Sequence, residues 1–196
     1  MLALCRAKGE AAGFDMNGRL YCGQMQALDL PRRYATIFVP STSIQLLTDP
    51  TDLDRTFAAF HNQLEQGGRI AVSFRTVPWN AEWPAGKEPA DGEWSVWLRD
   101  AKGERSDGAI VRRWFRGRWR PEAQRSDGEY RYDVTKDGVV IDVEGLGEDF
   151  RVCSRDEALA RAAAAGFTDI RAYRENSFDP ATPTDKRFKL VGTRPA

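Results

Sequence analysis

Gly67-Gly68 constrain this chain more than any other pair of residues. They follow Gln63-Leu64-Glu65-Gln66 and precede Arg69-Ile70-Ala71-Val72-Ser73-Phe74. Upstream, Leu53, Phe57, Phe60 and Leu64 recur at steps of four, three and four, the period of a helix with one buried stripe. Two glycines at the end of such a stripe close the helix, and the apolar run beyond them reads as a strand. Before the helix stands a second run, Tyr34 to Val39, ended by Pro40 and Ser41. Its nearly continuous apolar character suits a parallel strand covered on both faces. Strand, helix, strand in this order is a βα repeat and predicts an α/β fold.

That register places the rest of the chain. Residues 1–12 read as a helix with Leu2, Cys5 and Gly9 on one face, no capping residue before Met1, and a stop at Gly13. Leu20 to Gln24 reads as a short strand, weakened by Gly23. Asp52 or Asp54 is expected to start the helix of the apolar stripe. Residues 75–110 hold Pro78, Pro84, Pro89 and four tryptophans (Trp79, Trp83, Trp94, Trp97), and read as a long ordered loop or cap without a regular element. Residues 111–144 read as an antiparallel meander, with Asp137-Gly138 as a hairpin turn. Ser154 and Glu157 form a capping box for a helix over 155–165 that Gly166 stops. Strands through Ile170 and from Arg187 to Val191 end the chain. The expectation is a single domain over 1–196, with residues 75–150 inserted into it.

Composition narrows the function classes. Lysine plus arginine number 29 and aspartate plus glutamate 29, so no net charge draws the chain to nucleic acid or an anionic membrane. No apolar run approaches the roughly 18 residues of a bilayer span, and Arg6 comes too early for a signal peptide. Cys5, Cys22 and Cys153 lie far apart, as expected of reduced thiols in the cytoplasm. One histidine, His61, excludes a histidine-based metal centre, and no metal site is expected. His61 reads as a solvent-edge residue rather than a general base. Arg112 to Arg120 mixes arginine with Trp114, Phe115 and Trp119, a composition that also suits nucleic acid. The alternation favours a solvated strand face instead, paired across the meander with Glu129, Asp142 or Glu144.

Four segments in order resemble a known family, the class I S-adenosylmethionine-dependent methyltransferases. Tyr34 to Val39, a helix, then Leu64-Glu65-Gln66-Gly67-Gly68 is similar to the family's fourth strand and its "L-x-P-G-G" turn. Gly23-Gln24-Met25-x-x-Leu28 resembles its "G-D-M-x-x-L" segment. Ser154 to Glu157 with Ala165-Gly166-Phe167 resembles its C-terminal helix and strand, and Met1 to Lys8 resembles the helix after its second strand. The resemblance implies a Rossmann-like sheet of order 3-2-1-4-5-7-6, S-adenosylmethionine as methyl donor and a small-molecule acceptor. It implies adenine contacts from Gln24, where the family usually has Asp, and from Met25. Pro40, Ser41 and Ser43 lie just beyond the carboxyl end of the Tyr34–Val39 strand, where open α/β sheets bind ligands, and are the expected donor and acceptor side. Trp79 and Trp83 read either as lining or covering the acceptor or as plugging the core beneath the insertion. No catalytic residue is implied, because transfer from a sulfonium needs mainly positioning and a dry pocket.

One departure is large. The family's glycine-rich turn after the first strand, and the acidic residue ending the second, have no counterpart in this sequence. The expectation is therefore a methyltransferase sheet lacking its first two strands, from an N-terminally shortened enzyme that binds donor weakly or not at all. The alternative is a non-catalytic methyltransferase-like module for interaction or dimerisation, in which a homodimer covers the exposed sheet edge. Another Rossmann-like class, a nucleotide-sugar or nicotinamide enzyme, is disfavoured because it needs the same glycine turn.

Overall fold

The computed structural model describes residues 1–78 and 89–196. Trp79 and Trp83 fall outside the described residues. Helix α1 (Leu2–Ala11) buries none of its residues. Strand β1 (Tyr34–Val39) leads through a short 3-10 turn into helix α2 (Pro50–Gln63) and strand β2 (Leu64–Arg75). Four strands follow: β3 (Leu98–Glu104), β4 (Ile110–Arg120), β5 (Arg125–Lys136) and β6 (Val139–Arg151). Helix α3 (Arg155–Ala164), β7 (Thr168–Arg174) and β8 (Arg187–Thr193) complete the order.

The strands form two sheets, one of order β1-β2-β8-β7 and one of order β3-β4-β5-β6. In the first, β1 and β2 run parallel, while β8 is antiparallel to both of its neighbours, β2 and β7. One face of that sheet carries the core: Val39, Ile70, Val72, Phe74, Phe188 and Leu190 pack against Leu53, Phe57 and Phe60 of α2 and Ala158 and Ala162 of α3. Alternate residues point to the other face, so Phe38, Ser73, Arg75, Arg187 and Lys189 share it.

The helix starts earlier than the sequence suggests. Asp49, not Asp52 or Asp54, is its cap: the Asp49 carboxylate accepts from the Thr51 N–H at 2.8 Å, and Pro50 takes the first helical position. It also ends earlier, at Gln63, so Gly67-Gly68 do not close it. They lie inside β2, in a register shift where Tyr34 faces Leu64 and Thr36 already faces Arg69. Gly67 has φ +72°, and its N–H donates to the Arg194 carbonyl at 3.0 Å. A Cβ on Gly68 would lie 2.8 Å from the Glu65 carbonyl oxygen and 3.2 Å from those of Tyr34 and Ala35. All three are backbone atoms of the bulge. Gly68→Ala is therefore expected to destabilise the protein by about 1–3 kcal/mol through forced backbone shifts, measured by urea unfolding.

Three further expectations are corrected. Leu20 to Gln24 is not a strand: it runs as irregular chain into a 3-10 turn, Met25–Ala27. Gly23 disfavours extended pairing, and no described strand hydrogen-bonds to this segment. Residues 75–110 do contain a regular element, β3, which the polar run Arg99 to Glu104 hides and which forms by pairing with β4. At α3, Ser154 accepts from the Glu157 N–H at 3.1 Å as the capping box requires. The Glu157 carboxylate instead takes Arg151 and Arg161, at 3.1 and 2.9 Å.

The meander forms as expected, with Asp137-Gly138 at φ +51° and +81° between β5 and β6. Its arginines take their partners from the neighbouring strand β5. Arg116 bonds Glu129 at 2.7 Å, as expected. Arg118 and Arg120 go to Asp127 on β5. Asp142 and Glu144 belong to β6, with β5 standing between them and β4. Arg116 also stacks over Trp94 and Trp97, at 4.9 and 4.8 Å from the ring centres. The basic-aromatic strip is thus engaged within its own sheet.

Candidate ligand-binding site

Parallel β1, β2 and β7 end on the same edge of the first sheet, and there the chain leaves an open cleft of about 470 Å³. Phe38, Pro40, Ser41, Thr42, Ser73 and Arg75 line one side, and Glu175, Asn176, Arg187 and Lys189 the other. Ligands of open α/β sheets bind beyond the carboxyl ends of the strands.

The wall after β1 is strained. Ser41 and Thr42 have φ +55° and +57°, and the Ser43 N–H closes the turn on the Pro40 carbonyl at 3.2 Å. Two left-handed residues in succession make a mirror-image turn that glycine or asparagine would normally supply. A β-branched threonine there is an outlier, and such strain persists only where surroundings impose it. Gln45 imposes it here. Its side chain is 1% exposed. Its amide nitrogen donates to the Arg75 and Arg151 carbonyls at 2.9 and 2.7 Å, and its oxygen accepts from the Arg75 N–H at 2.6 Å. One amide thus ties the turn to the ends of β2 and β6. Gln45→Ala orphans these buried groups, each worth about 1–3 kcal/mol. The expected result is a loss of roughly 2–4 kcal/mol in chemical denaturation, with sharper proteolysis around residues 40–46.

Of the residues singled out from sequence, Pro40 and Ser41 line this cleft. Ser43 does not; its hydroxyl donates back to the Pro40 carbonyl at 2.9 Å. Gln24 is exposed. Met25 packs against the core and lines a different cleft, with Leu2, Tyr21 and Leu28. His61 is remote from both clefts, edge-on to Phe167 at 5.2 Å, and burial with the nearby Arg194 charge lowers its pKa. Cys153 is fully buried; burial and Glu157 push its thiol up to about 12, so it is no nucleophile. Thr42, Gln45, Arg187 and Lys189 escaped the sequence reading. The alternation Arg187-Phe188-Lys189-Leu190 was the available signal for the last two.

Among the described residues, no group of three or more His, Cys, Asp or Glu side chains could hold a metal ion, and no helix is long and apolar enough to cross a membrane.

The strand order decides the fold. β1-β2-β8-β7, with β8 reversed between two parallel neighbours, is the 4-5-7-6 half of the order that the resemblance implies. The chain has the class I methyltransferase fold. No family model and no curated protein matches the sequence. Solved structures do. An S-adenosylmethionine-dependent methyltransferase from Clostridium acetobutylicum superposes with a TM-score of 0.75 at 15% identity, over 100% of this chain and 71% of that one. The CcbJ methyltransferase of Streptomyces caelestis gives 0.69 at 21% identity, over 100% and 75%. The sugar N-methyltransferase KedS8 from Streptoalloteichus gives 0.65 at 22%, over 97% and 67%. In this methyltransferase fold the second sheet, β3 to β6, stands between β2 and α3.

Proposed function

We propose that this protein is an S-adenosylmethionine-dependent methyltransferase of the cytoplasm acting on a small molecule, with transfer at the cleft beyond β1 and β2. The observation that carries the reading is the strained Ser41-Thr42 turn at the carboxyl end of a parallel strand, on a methyltransferase sheet. The donor supplies an activated methyl group. The chain's own work is to orient donor and acceptor and exclude water. The cleft residues fit one end of the donor: Pro40 and Ser41 would flank its reactive centre, with Trp79 and Trp83 assigned to the acceptor from the sequence alone. Gln24 and Met25 are assigned to the adenine on the family resemblance. The fit is partial, because no glycine-rich strand–turn–helix exists in this sequence to bring backbone against the donor.

The 196-residue chain is therefore expected to bind S-adenosylhomocysteine only weakly, with a Kd above about 100 μM, or less than about 5.5 kcal/mol of binding energy. Calorimetry measures this. A low-micromolar Kd would mean that the donor site is complete without the glycine turn.

A second reading, a methyltransferase-like interaction or dimerisation module, is favoured by β6. Val139, Val140, Ile141, Val143 and Leu146 are each more than half exposed on this edge strand, and such edges are templates for pairing. A stable dimer without ligand in size-exclusion chromatography supports the module; a monomer contradicts it.

A further inference from the structure

The floor of the β1–β2 cleft is cationic. Arg187 and Lys189 are two residues apart on β8 and share its open face, and Arg75 stands directly opposite Arg187 on β2. Like charges placed opposite each other across two strands are destabilising, yet three line one wall and floor, and among the described residues Glu175 is the one carboxylate that lines the cleft. Glu175 lies 3.8 Å from Arg187. The Lys189 ammonium lies 3.5 Å from the Ser177 carbonyl and 4.3 Å from the centre of the Phe178 ring. Among the described residues, no carboxylate lies within ion-pair distance of it. The aromatic ring and the carbonyl hold this ammonium in place without neutralising it. Ser73, across the ladder from Lys189, adds a hydroxyl donor on the same floor.

We propose that the methyl acceptor carries an oxyanion, a carboxylate or a phosphate, which Lys189 and Arg187 hold against the floor of the cleft. This rests on the methyltransferase reading of the same cleft. Charge-assisted hydrogen bonds from the ammonium and guanidinium would orient that acceptor. The reacting nucleophile would be directed toward the Pro40–Ser41 wall.

The test is calorimetry at about 0.1 M ionic strength, where charges more than about 10 Å apart are screened, with inorganic pyrophosphate and with malonate, on the full chain and on Lys189→Gln and Arg69→Gln. Arg69 is exposed on the same sheet face but in the middle of β2, outside the cleft. The full chain is expected to bind at least one probe. Pyrophosphate alone indicates a phosphate-bearing acceptor, and malonate alone a carboxylate-bearing one. Lys189→Gln should weaken that binding about tenfold, the size of a lost charge-assisted bond, while Arg69→Gln changes it by less than about twofold. Circular dichroism confirms that both variants fold. No binding of either probe, or equal losses in the two variants, overturns the oxyanion site. The same three proteins are titrated with S-adenosylhomocysteine. If Lys189→Gln weakens it in parallel, the anion is the donor's own carboxylate; the acceptor assignment fails and the methyltransferase reading stands. If the probes bind through Lys189 and S-adenosylhomocysteine binds nowhere, the methyltransferase reading fails and only the oxyanion site survives.

Discussion

Asp127→Ala is expected to destabilise the protein by about 2–4 kcal/mol, because three partly exposed guanidiniums lose the buried carboxylate they share. Asp127 is 2% exposed, near the start of the interior strand β5. Its Oδ2 accepts from Arg118 and Arg120 at 2.7 Å each, and its Oδ1 from Arg125 at 2.7 Å. Arg125 also reaches Asp149 at 2.6 Å. The register sets Arg118 opposite Asp127 but also places like charges opposite each other, Asp127 against Asp149 and Arg120 against Arg125, so the ion pairs run along diagonals as well as across the ladder. Removing Asp127 leaves three guanidiniums with one fewer carboxylate, a like-charge cluster on adjacent strands. Burial alone would raise the pKa of Asp127, but the bonds from Arg118, Arg125 and Arg120 outweigh it and hold it below its ordinary value. The sign follows from linkage. A depressed folded-state pKa means stability that is fully present above the unfolded value of about 3.9 and lost as pH falls through the folded value. Urea unfolding of Asp127→Asn at pH 7 and pH 3 checks this. The gap to the unsubstituted protein should be wide at pH 7 and shrink in acid. An equal gap at both values would show that the carboxylate's charge contributes nothing.

The second large effect is at Phe74. Its ring stacks between Phe57 of α2, at 6.4 Å, and Phe188 of β8, at 5.2 Å. All three are buried to within 1%. Phe74 therefore joins the helix layer to the strand that closes the sheet. Phe74→Ala opens a cavity between them and is expected to lose about 3–5 kcal/mol. For a chain of this size that lowers Tm by roughly 8–16 °C. Phe74→Leu fills most of the space and should lose less than about 1.5 kcal/mol. Thermal unfolding followed by circular dichroism separates the two. Equal Tm values for both variants would mean that refilling the space restores nothing and that the loss is of the ring stack rather than of buried volume.

The first sheet was largely legible because its signals are local. Tyr34 to Val39, the 53–64 stripe and the run after Gly68 each carry one unambiguous period. The sequence misled where pairing, not propensity, decides. β3 is a polar segment that becomes a strand only by lying against β4. Leu20 to Gln24 has strand-forming residues but no strand beside it. Gly67-Gly68 looked like a helix stop because the bulge that needs them exists only once β1 and β2 are in register. At the candidate site, Pro40 and Ser41 were readable from the rule that parallel strands present ligands at their carboxyl ends. Gln45 was not, since its partners are 30 and 106 residues away. Lys189 enters the cleft only because β8 inserts between β2 and β7.

The most direct test of the central claim is to map S-adenosylhomocysteine onto the ¹⁵N-labelled chain by amide chemical shifts, up to about 2 mM, where a weak site fills appreciably. The expected result is saturable shifts concentrated in Ser41 to Gln45 and Ser73 to Thr76, at the carboxyl ends of β1 and β2. No shifts at that concentration, or shifts confined to the second sheet, would contradict it.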